Sequence, residues 1–448
     1  MTTPSLPGKR LLQARHLAQR ARRHLRLVPN FEGDDRSRRG LLMFWYDGLF
    51  ANISESFVGP YITIYLLALG ATEGQVGLFA SLSALAGALM FLPGAELARR
   101  FSNHRHLVVY ASLASRLMLP CLALVSWLVE GQTAIAAVIL LATLRVAFSQ
   151  LGVPAWTALT ARVVPEGIRG RYFSTRTFAM SLAALIVVPI AGRLITSLGS
   201  PSGYQVSFAL ALVAGMISSY AYSRIPFSHS TTGQQVAGPS LRQTLRTLPQ
   251  NSLFLRFCLV TVVLNFSVQL AAPFFNVYLV RNLGAQAAFI GLSTAISSGA
   301  DLIGQRLWGP LADRKGLRWI MVTTIPFAAF IPFGWLFPRT PWETVPISAI
   351  GALGWAGYNL AAFNLLLKST PAEGRPLYSA LYNTAAALAS MLGPLLGSLL
   401  YECWGFSATL WASFIGRTAA GILVFLLIRE TGERLQARPK ALQRGASG

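Results

Sequence analysis

The sequence is poor in charged side chains, and in acidic ones above all. Only 12% of its 448 residues are charged, against about 25% in soluble domains. Its 16 Asp and Glu residues are outnumbered by 38 Lys and Arg residues, while 53% of the chain is hydrophobic. A chain of this composition lacks the charged surface of an ordinary soluble domain. It is typical of a protein that lies mostly within a membrane.

Residues that build common catalytic and metal sites are also scarce. The five histidines lie outside the long apolar runs, and the three cysteines lie in separate runs. These positions predict neither a histidine metal site nor a disulfide framework. The sequence has no Gly-x4-Gly-Lys-Ser/Thr phosphate loop, which excludes direct drive by ATP. We therefore expect no enzyme activity, no metal and no cofactor.

Long apolar runs occupy most of the chain. A helix needs ~20 apolar residues to cross a bilayer, and runs of that length predict an all-α polytopic membrane protein with twelve spans. The predicted spans are residues 41–68, 74–93, 107–129, 133–158, 173–198, 204–225, 253–280, 286–308, 319–337, 343–367, 377–402 and 406–428.

The net charge of +22 would suggest a nucleic-acid partner in a soluble protein, but here the charge follows the predicted spans. The segment before the first span and every second connection are rich in Arg and Lys, whereas the intervening connections hold few. This is the positive-inside pattern. It predicts a multi-pass protein of the cell membrane with both termini in the cytoplasm, and it predicts no nucleic-acid partner.

The two halves of the sequence resemble each other. Asn52 and Pro60 recur as Asn265 and Pro273, each 213 residues later. Parallel repeats of this kind are typical of large transporters.

At the N-terminus, residues 8–27 suit either a surface helix on anionic lipid or a disordered tail. The predicted domains are a basic tail at 1–40, a six-helix unit at 41–225, a cytoplasmic linker at 226–251, a six-helix unit at 252–428 and a basic tail at 429–448.

The connection between the eighth and ninth spans carries the most specific motif. Gly309, Asp313, Arg314, Gly316 and Arg318 resemble the signature loop of the major facilitator superfamily, roughly Gly-x-x-x-Asp-Arg-x-Gly-Arg-Lys/Arg. We expect residues 309–316 to form a short cytoplasmic turn. The resemblance implies that Asp313 binds a neighbouring helix end and holds the cytoplasmic side shut. The alternative is that these charges only set topology.

A second motif supports the same resemblance. Gly393, Pro394 and Gly397 in the eleventh span are similar to the Gly-Pro helix-packing signature of that family, and the fifth span keeps Pro189 and Gly192. Together with the repeat, the linker and the cytoplasmic termini, the resemblance covers nearly the whole chain. It implies two six-helix bundles related by a parallel pseudo-repeat, and transport by alternating access. We expect the protein to act as a monomer.

Ionisable side chains inside the spans are few, and each costs about +2.5 to +3.5 kcal/mol near the middle of the membrane. Glu55 lies near the middle of span 1 and Arg145 near the middle of span 4. The resemblance implies that both spans line the central cavity and that such a pair serves proton coupling. A static ion pair that fixes helix packing is the alternative. Arg116 and Arg417 also lie within spans, in positions that the resemblance makes peripheral.

Amide and aromatic side chains in spans 1, 7 and 10 complete a candidate substrate cavity. Amides can hydrogen-bond a solute and aromatic rings can stack on its apolar part, although the same groups can bond between helices. The candidates are Asn52, Asn265, Gln269, Asn276, Trp355, Tyr358, Asn359 and Asn364.

The sequence as a whole predicts a secondary transporter of a small organic solute, coupled to protons, that works within the lipid bilayer. It does not separate uptake from efflux, and it does not identify the solute. Two other functions stay open on the same fold. One is a membrane sensor or scaffold that transports nothing, and the other is a lipid flippase.

Overall fold

The computed structural model describes residues 35–100, 103–226, 246, 248–370 and 375–428, which form helices and connecting turns with no strand. Ten segments of this part are long and apolar enough to cross a membrane, which confirms a multi-pass all-α protein. The predicted N-terminal tail, linker and C-terminal tail lie largely outside the described residues, as does the choice between helix and disorder at 8–27. The helices are α1 Asp35–Val58, α2 Ile62–Ala68, α3 Glu73–Arg100, α4 His104–Leu128, α5 Gly131–Leu151, α6 Val153–Val163, α7 Glu166–Leu198, α8 Ser202–Ser223, α9 Ser252–Ala271, α10 Phe274–Arg281, α11 Ala287–Lys315, α12 Leu317–Gly334, α13 Thr344–Ser369 and α14 Arg375–Leu427.

Several predicted spans are interrupted near proline or glycine. A short 3-10 turn at Gly59–Tyr61 separates α1 from α2, and Pro273 precedes α10 at the corresponding point of the second half. Proline has no N–H to donate, so it favours such breaks. Within α14, Gly405 has a φ of 79° and divides the helix in two. The sequence repeat therefore appears in the backbone as a matched pair of breaks.

The turn predicted over residues 309–316 is wrong in length. α11 continues through Pro310 to Lys315 and α12 begins at Leu317, so Gly316 alone separates the two helices. Gly316 has a φ of 85°, a conformation that glycine adopts without steric cost. Arg314 and Lys315 lie in the last turn of α11, where positive charge is favourable at the negative end of the helix dipole.

Helices of the first half pack mainly on one another, and so do helices of the second half. In the first half α1 contacts α7 and α8, while α4 contacts α5 and α8. In the second half α14 contacts α9 and α12, while α13 contacts α11 and α12. Two extensive contacts join the halves, between α7 and α11 and between α3 and α14.

The hydrophobic core is shared by both halves at one end of the molecule only. A cluster that includes Tyr61, Leu122, Phe208, Phe274 and Trp335 takes residues from both halves. We call this the sealed end; it carries the connections at 69–72, 129–130, 199–201, 282–286 and 335–343. Towards the opposite end each half has a core of its own, around Phe44 and Leu159 in the first half and around Phe257 and Met321 in the second.

Candidate functional site

The structure brings Glu55 of α1 and Arg145 of α5 together in a two-pronged ion pair. Arg145 Nη1 donates to Glu55 Oε2 at 2.9 Å, and Nη2 donates to Oε1 at 3.2 Å. A fork of this kind is the strong form of an arginine–carboxylate contact. The Glu55 side chain is 55% exposed and that of Arg145 is 16% exposed. The carboxylate therefore has an open side from which a proton could reach it.

A second group of charges lies deeper in the same half. The sequence singles out its Arg116, which the resemblance makes peripheral but which lines the cavity here, and it does not single out Asp47 or Arg176. Asp47 of α1 accepts a hydrogen bond from Ser218 at 2.7 Å and lies 3.6 Å from a guanidinium nitrogen of Arg176. Ser218 in turn accepts from Arg116 Nη2 at 2.8 Å. Asp47 and Arg176 are each only 8% exposed. A buried carboxylate thus lies between two arginines from α4 and α7.

Aromatic rings and a glycine hold Arg176 in place. Its guanidinium carbon lies 4.7 Å from the centre of the Phe44 ring and 5.7 Å from that of Trp156, both distances at which a cation is attracted to a ring face. A Cβ at Gly48 would overlap the guanidinium group, so α1 can pass Arg176 only at a glycine. Arg176 Nε also donates to the Phe44 carbonyl at 3.3 Å.

Both charged groups line one cavity of about 230 Å³. All of its walls come from the first half of the chain. Hydroxyl groups supply much of the remaining polar surface, and one tryptophan contributes a ring. The lining residues are Asp47, Ala51, Ser54, Glu55, Val108, Ser112, Ser115, Arg116, Leu119, Arg145, Ser149, Gly152, Val153, Trp156 and Arg176.

The amide and aromatic residues that the sequence singled out do not line this cavity. The side chains of Asn265 and Asn364 donate to carbonyls one turn back in their own helices, at 2.9 and 2.8 Å. Trp355 and Tyr358 pack edge to face with their ring centres 5.3 Å apart. Of the remaining four, Asn359 is exposed, and Asn52 and Asn276 are half-buried. Gln269 lies at the contact between α9 and α14, where a Cβ on Gly393 would overlap it.

At the sealed end, polar contacts join the two halves. Arg281, at the end of α10, bonds the Glu73 carboxylate and the Ala71 carbonyl of the first half. The N–H of Ala288 donates to the hydroxyl of Thr196 at 3.0 Å, which satisfies one of the free N–H groups at the start of α11. Both contacts must break if this end is to open.

Three residues of the predicted packing motif lie at the two extensive contacts between the halves, and two lie within the second half. A Cβ at Gly192 would overlap the carbonyl of Ala287 across the α7–α11 contact. Pro189 lies against Gly291 at the same contact, and Pro394 lies against Gly77 where α3 meets α14. Gly393 and Gly397 instead bring α14 close to α9, within the second half. Here glycine permits close helix approach.

The motif at residues 309–318 lies at the opposite end of the molecule. Asp313 and Arg314 are exposed, and a Cβ at Gly309 would meet nothing within 4 Å. The ammonium group of Lys315 lies 4.2 Å from the centre of the Trp319 ring. Arg318 donates to the Phe425 carbonyl at 2.8 Å and so binds the C-terminal turn of α14. A role of Asp313 in gating stays a prediction.

Arg417 has a structural role in the second half. It is 1% exposed, and its Nη1 donates to the Ala328 carbonyl at 2.7 Å. That carbonyl would normally accept from residue 332, which is a proline and has no N–H. Arg417 therefore satisfies a carbonyl that Pro332 leaves without its helical partner.

Comparison with known proteins agrees with this architecture. The family model described as "Major Facilitator Superfamily" matches residues 48–271 and 257–446. Among curated proteins, the "Multi-drug resistance efflux pump PmrA homolog" of Lactococcus lactis is 23% identical over 380 residues, which cover 81% of this chain and 88% of that protein. The "Multidrug resistance protein MdtG" of Citrobacter koseri is 23% identical over 406 residues, which cover 87% and 93%.

Solved structures share the fold. A bacterial homologue of the iron transporter ferroportin, in an inward-facing state, superposes with a TM-score of 0.69 at 15% identity, covering 88% of this chain and 99% of that one. A bacterial homologue of the human lysosomal transporter Spinster, also inward-facing, superposes with a TM-score of 0.62 at 14% identity, covering 89% and 96%.

Proposed function

The chain belongs to the major facilitator superfamily, and from that premise we propose that it moves a small organic solute across the cell membrane by alternating access, in exchange with or together with protons. The observation that carries this proposal is the sealed end. The halves share one core there and have separate cores towards the opposite end. Such an arrangement suits one state of a transporter in which two bundles rock about a central site.

We propose twelve spans in two bundles of six. The ten apolar segments become eleven when the long segment Tyr378–Leu427 is divided at Gly405. The pair α1 and α2 adds the twelfth, which is less apolar because it carries Asp47 and Glu55. The first bundle then corresponds to residues 41–225 and the second to 252–428, joined by a linker at 226–251 and flanked by the two tails. By the positive-inside rule, the sealed end faces outward and both termini are cytoplasmic.

In this proposal Glu55 is the group that exchanges protons. Its carboxylate lies one helical turn before Gly59, where a Cβ would come within 3.0 Å of Oε1. Tyr61, two residues further on, lies against Gly291 of the second half. Protonation would remove the charge that holds Arg145, so the ion pair could respond to binding while the nearby seal opens and closes.

Export is the direction that we propose, because one curated relative is named as a multidrug resistance efflux pump and another as a multidrug resistance protein. Those relatives are bacterial, which favours a bacterial cell membrane. The loop at 309–318 lies at the end opposite the seal, so in an outward-facing state Asp313 would close the cytoplasmic side.

The test is proton flux in proteoliposomes that contain a pH-sensitive dye, challenged with a library of small organic solutes. Wild type should move protons on addition of at least one solute and should accumulate that solute against its gradient when a pH gradient is applied. Glu55→Gln keeps the shape of the side chain but cannot titrate, so it should lose uphill transport and retain exchange between two loaded sides. Glu130→Gln, an exposed loop carboxylate at the sealed end, is the matched control and should behave as wild type.

Arg145→Lys keeps the charge but loses the fork that holds the carboxylate. It should shift the pH at which wild-type transport is fastest. Concentrative transport by Glu55→Gln with the wild-type pH profile would leave Glu55 as a packing ion pair. If no solute is transported and none causes proton flux, the transport proposal fails and a sensor or scaffold remains. Movement of labelled lipid alone would instead indicate a flippase.

A further inference from the structure

The cavity in the first half carries an excess of positive charge. Five ionisable side chains line it: the carboxylates Asp47 and Glu55, and the guanidinium groups Arg116, Arg145 and Arg176. With all five ionised, the cavity holds a net charge of +1. Charge inside a membrane protein is costly unless it is paired, so an excess of one cation calls for a partner.

Arg116 shares the charge of Asp47 with Arg176, and it is the one cavity cation that makes no direct ion pair with a described residue. Glu55 is engaged by Arg145 through two hydrogen bonds, and Asp47 has Arg176 at 3.6 Å. Arg116 Nη2 meets only the hydroxyl of Ser218, and Nη1 is buried with no hydrogen-bond partner among the described residues. A guanidinium has five N–H donors in a planar fork. Arg116 thus has donor capacity and charge that the surrounding side chains do not match.

The chain makes room for this arginine. A Cβ at Gly215 of α8 would come within 2.7 Å of Arg116 Nε and 2.8 Å of Cδ, so the arginine stem crosses α8 at a glycine. Gly48 gives Arg176 the same space on α1. Two arginines from different helices therefore each lie across a glycine, and both reach the same cavity. The packing of α1 and α8 thus accommodates both arginines, and neither is a surface side chain that turns inward.

We propose that this cavity binds a carboxylate group of the transported solute, with Arg116 as its counter-ion. The inference rests on the proposed transport function and narrows its substrate class to small organic anions. A carboxylate complements the charge of Arg116, and charge-assisted hydrogen bonds between a guanidinium and a carboxylate are about twice as strong as neutral ones. At about 230 Å³ the cavity is smaller than the ~300–1,000 Å³ of drug-sized ligand sites, so it holds the charged end of the solute.

Equilibrium binding to the purified full chain in lipid nanodiscs tests the inference. The probes are benzoate, benzamide and benzylammonium, which share a ring and differ in charge, measured by titration calorimetry. Wild type should bind benzoate at least roughly tenfold more tightly than benzamide, because only benzoate can pair with Arg116. Benzylammonium should bind more weakly than either. Equal affinity for benzoate and benzamide would overturn the inference.

Two substitutions with opposite expected effects separate an anion site from a structural network. Arg116→Gln removes the counter-ion and should abolish the preference for benzoate over benzamide. Asp47→Asn removes a competing negative charge and should tighten benzoate several-fold while leaving benzamide unchanged. Arg306→Gln, on an exposed part of α11, is the control and should leave all three affinities unchanged. If Asp47→Asn weakens benzoate, the charges serve structure alone and the proposal is wrong.

The outcome does not depend on the variant Arg116→Gln folding. If that variant does not elute as a monodisperse protein, the comparison of benzoate with benzamide in wild type and Asp47→Asn decides by itself. The transport proposal is tested separately by proton flux through Glu55. Selective benzoate binding without proton flux would support the anion site and refute the transport proposal. Proton flux without selective benzoate binding would support transport and refute the anion site.

Discussion

Removal of the ion pair between Arg281 and Glu73 should make the sealed end open more often. Arg281 is the side chain that holds the end of α10 against the first half, through the Glu73 carboxylate and the Ala71 carbonyl. Glu73→Gln removes the charge of the pair and leaves a hydrogen-bonding side chain of nearly the same size. Since the apolar part of the seal is untouched, the effect should be a shift in population and not unfolding.

The size of the shift follows from the exposure of the two side chains. Arg281 is 35% exposed and Glu73 is 20% exposed, so the pair is partly screened by solvent. Hydrogen bonds to charged groups contribute about 1.5–3 kcal/mol when well protected, and exposed pairs contribute about 0.2–1 kcal/mol. A value between these, of about 1–2 kcal/mol, corresponds to a roughly 5- to 30-fold rise in the fraction of molecules open at this end.

Labelling of a buried cysteine measures that fraction. Ala287 is 7% exposed at the α7–α11 contact, and Ala287→Cys in a background without the three native cysteines should react with an impermeant maleimide only when the seal opens. For a minor open state the reaction rate is proportional to its population. Glu73→Gln should raise the rate within the stated range, whereas Glu130→Gln at the same end should not. An unchanged rate in Glu73→Gln would show that this ion pair does not help to hold the seal.

The remaining predictions concern helix packing, the loop and topology. Gly291→Ala should destabilise the sealed state, because its Cβ would lie 2.9 Å from the Val188 carbonyl oxygen. Gly299→Ala in the same helix is the control: its Cβ would meet nothing within 4 Å, so the change should be neutral or stabilising by up to ~1 kcal/mol. Thermal unfolding of the two variants measures the difference. Asp313→Asn should slow transport at near-normal expression, and unchanged transport across solute concentrations would leave Asp313 as a topology charge. Cysteines introduced at Gly131 and Gly199 should react with an impermeant reagent added outside cells. A cysteine at Gly374, a position outside the described residues, should not react. The reverse pattern would invert the proposed topology.

Much of the fold could be predicted from the sequence because the membrane constrains each part of the chain separately. An apolar run must be helical and long enough to cross, since lipid offers no partner for a free backbone N–H or C=O. The short break at Gly59–Tyr61 was harder to see, because Pro60 lies in an otherwise continuous apolar run. The single-residue turn at Gly316 is not evident from the sequence, because polar residues after an apolar run favour a loop, whereas here they extend α11.

The charges of the site were predictable only where they stand in the middle of an apolar run. Glu55, Arg145 and Arg116 stand there, and the structure pairs the first two. Arg176 is the fourth residue of predicted span 5, where an arginine looks like a membrane-boundary charge. Asp47 lies near the start of span 1 and resembles a boundary charge in the same way. The glycine beside Asp47 was a usable signal, since α1 needs it to accommodate Arg176.

The amides were ambiguous for a different reason. An asparagine inside a helix can donate to the carbonyl four residues earlier, as Asn265 and Asn364 do here. The sequence shows the residue type but not whether its hydrogen bonds are already satisfied within the helix. Only the packing of neighbouring helices determines which polar groups reach a cavity, and that depends on contacts far apart in the chain.

The position of the charges within one half of the chain limits how a proton could be coupled to movement. Every ionisable residue of the cavity belongs to the first half, so a rocking motion of two rigid bundles would carry them together and leave their mutual distances unchanged. What would change is the contact between Tyr61 and Gly291, which lies less than two turns from Glu55 and joins the halves. Coupling in such a protein must then act through protonation of Glu55, with access from either side set by the seal next to it, because the rocking motion does not itself separate the ion pairs. A variant that loosens the seal without touching a charge, such as Gly291→Ala, should therefore alter the pH dependence of transport as well as its rate.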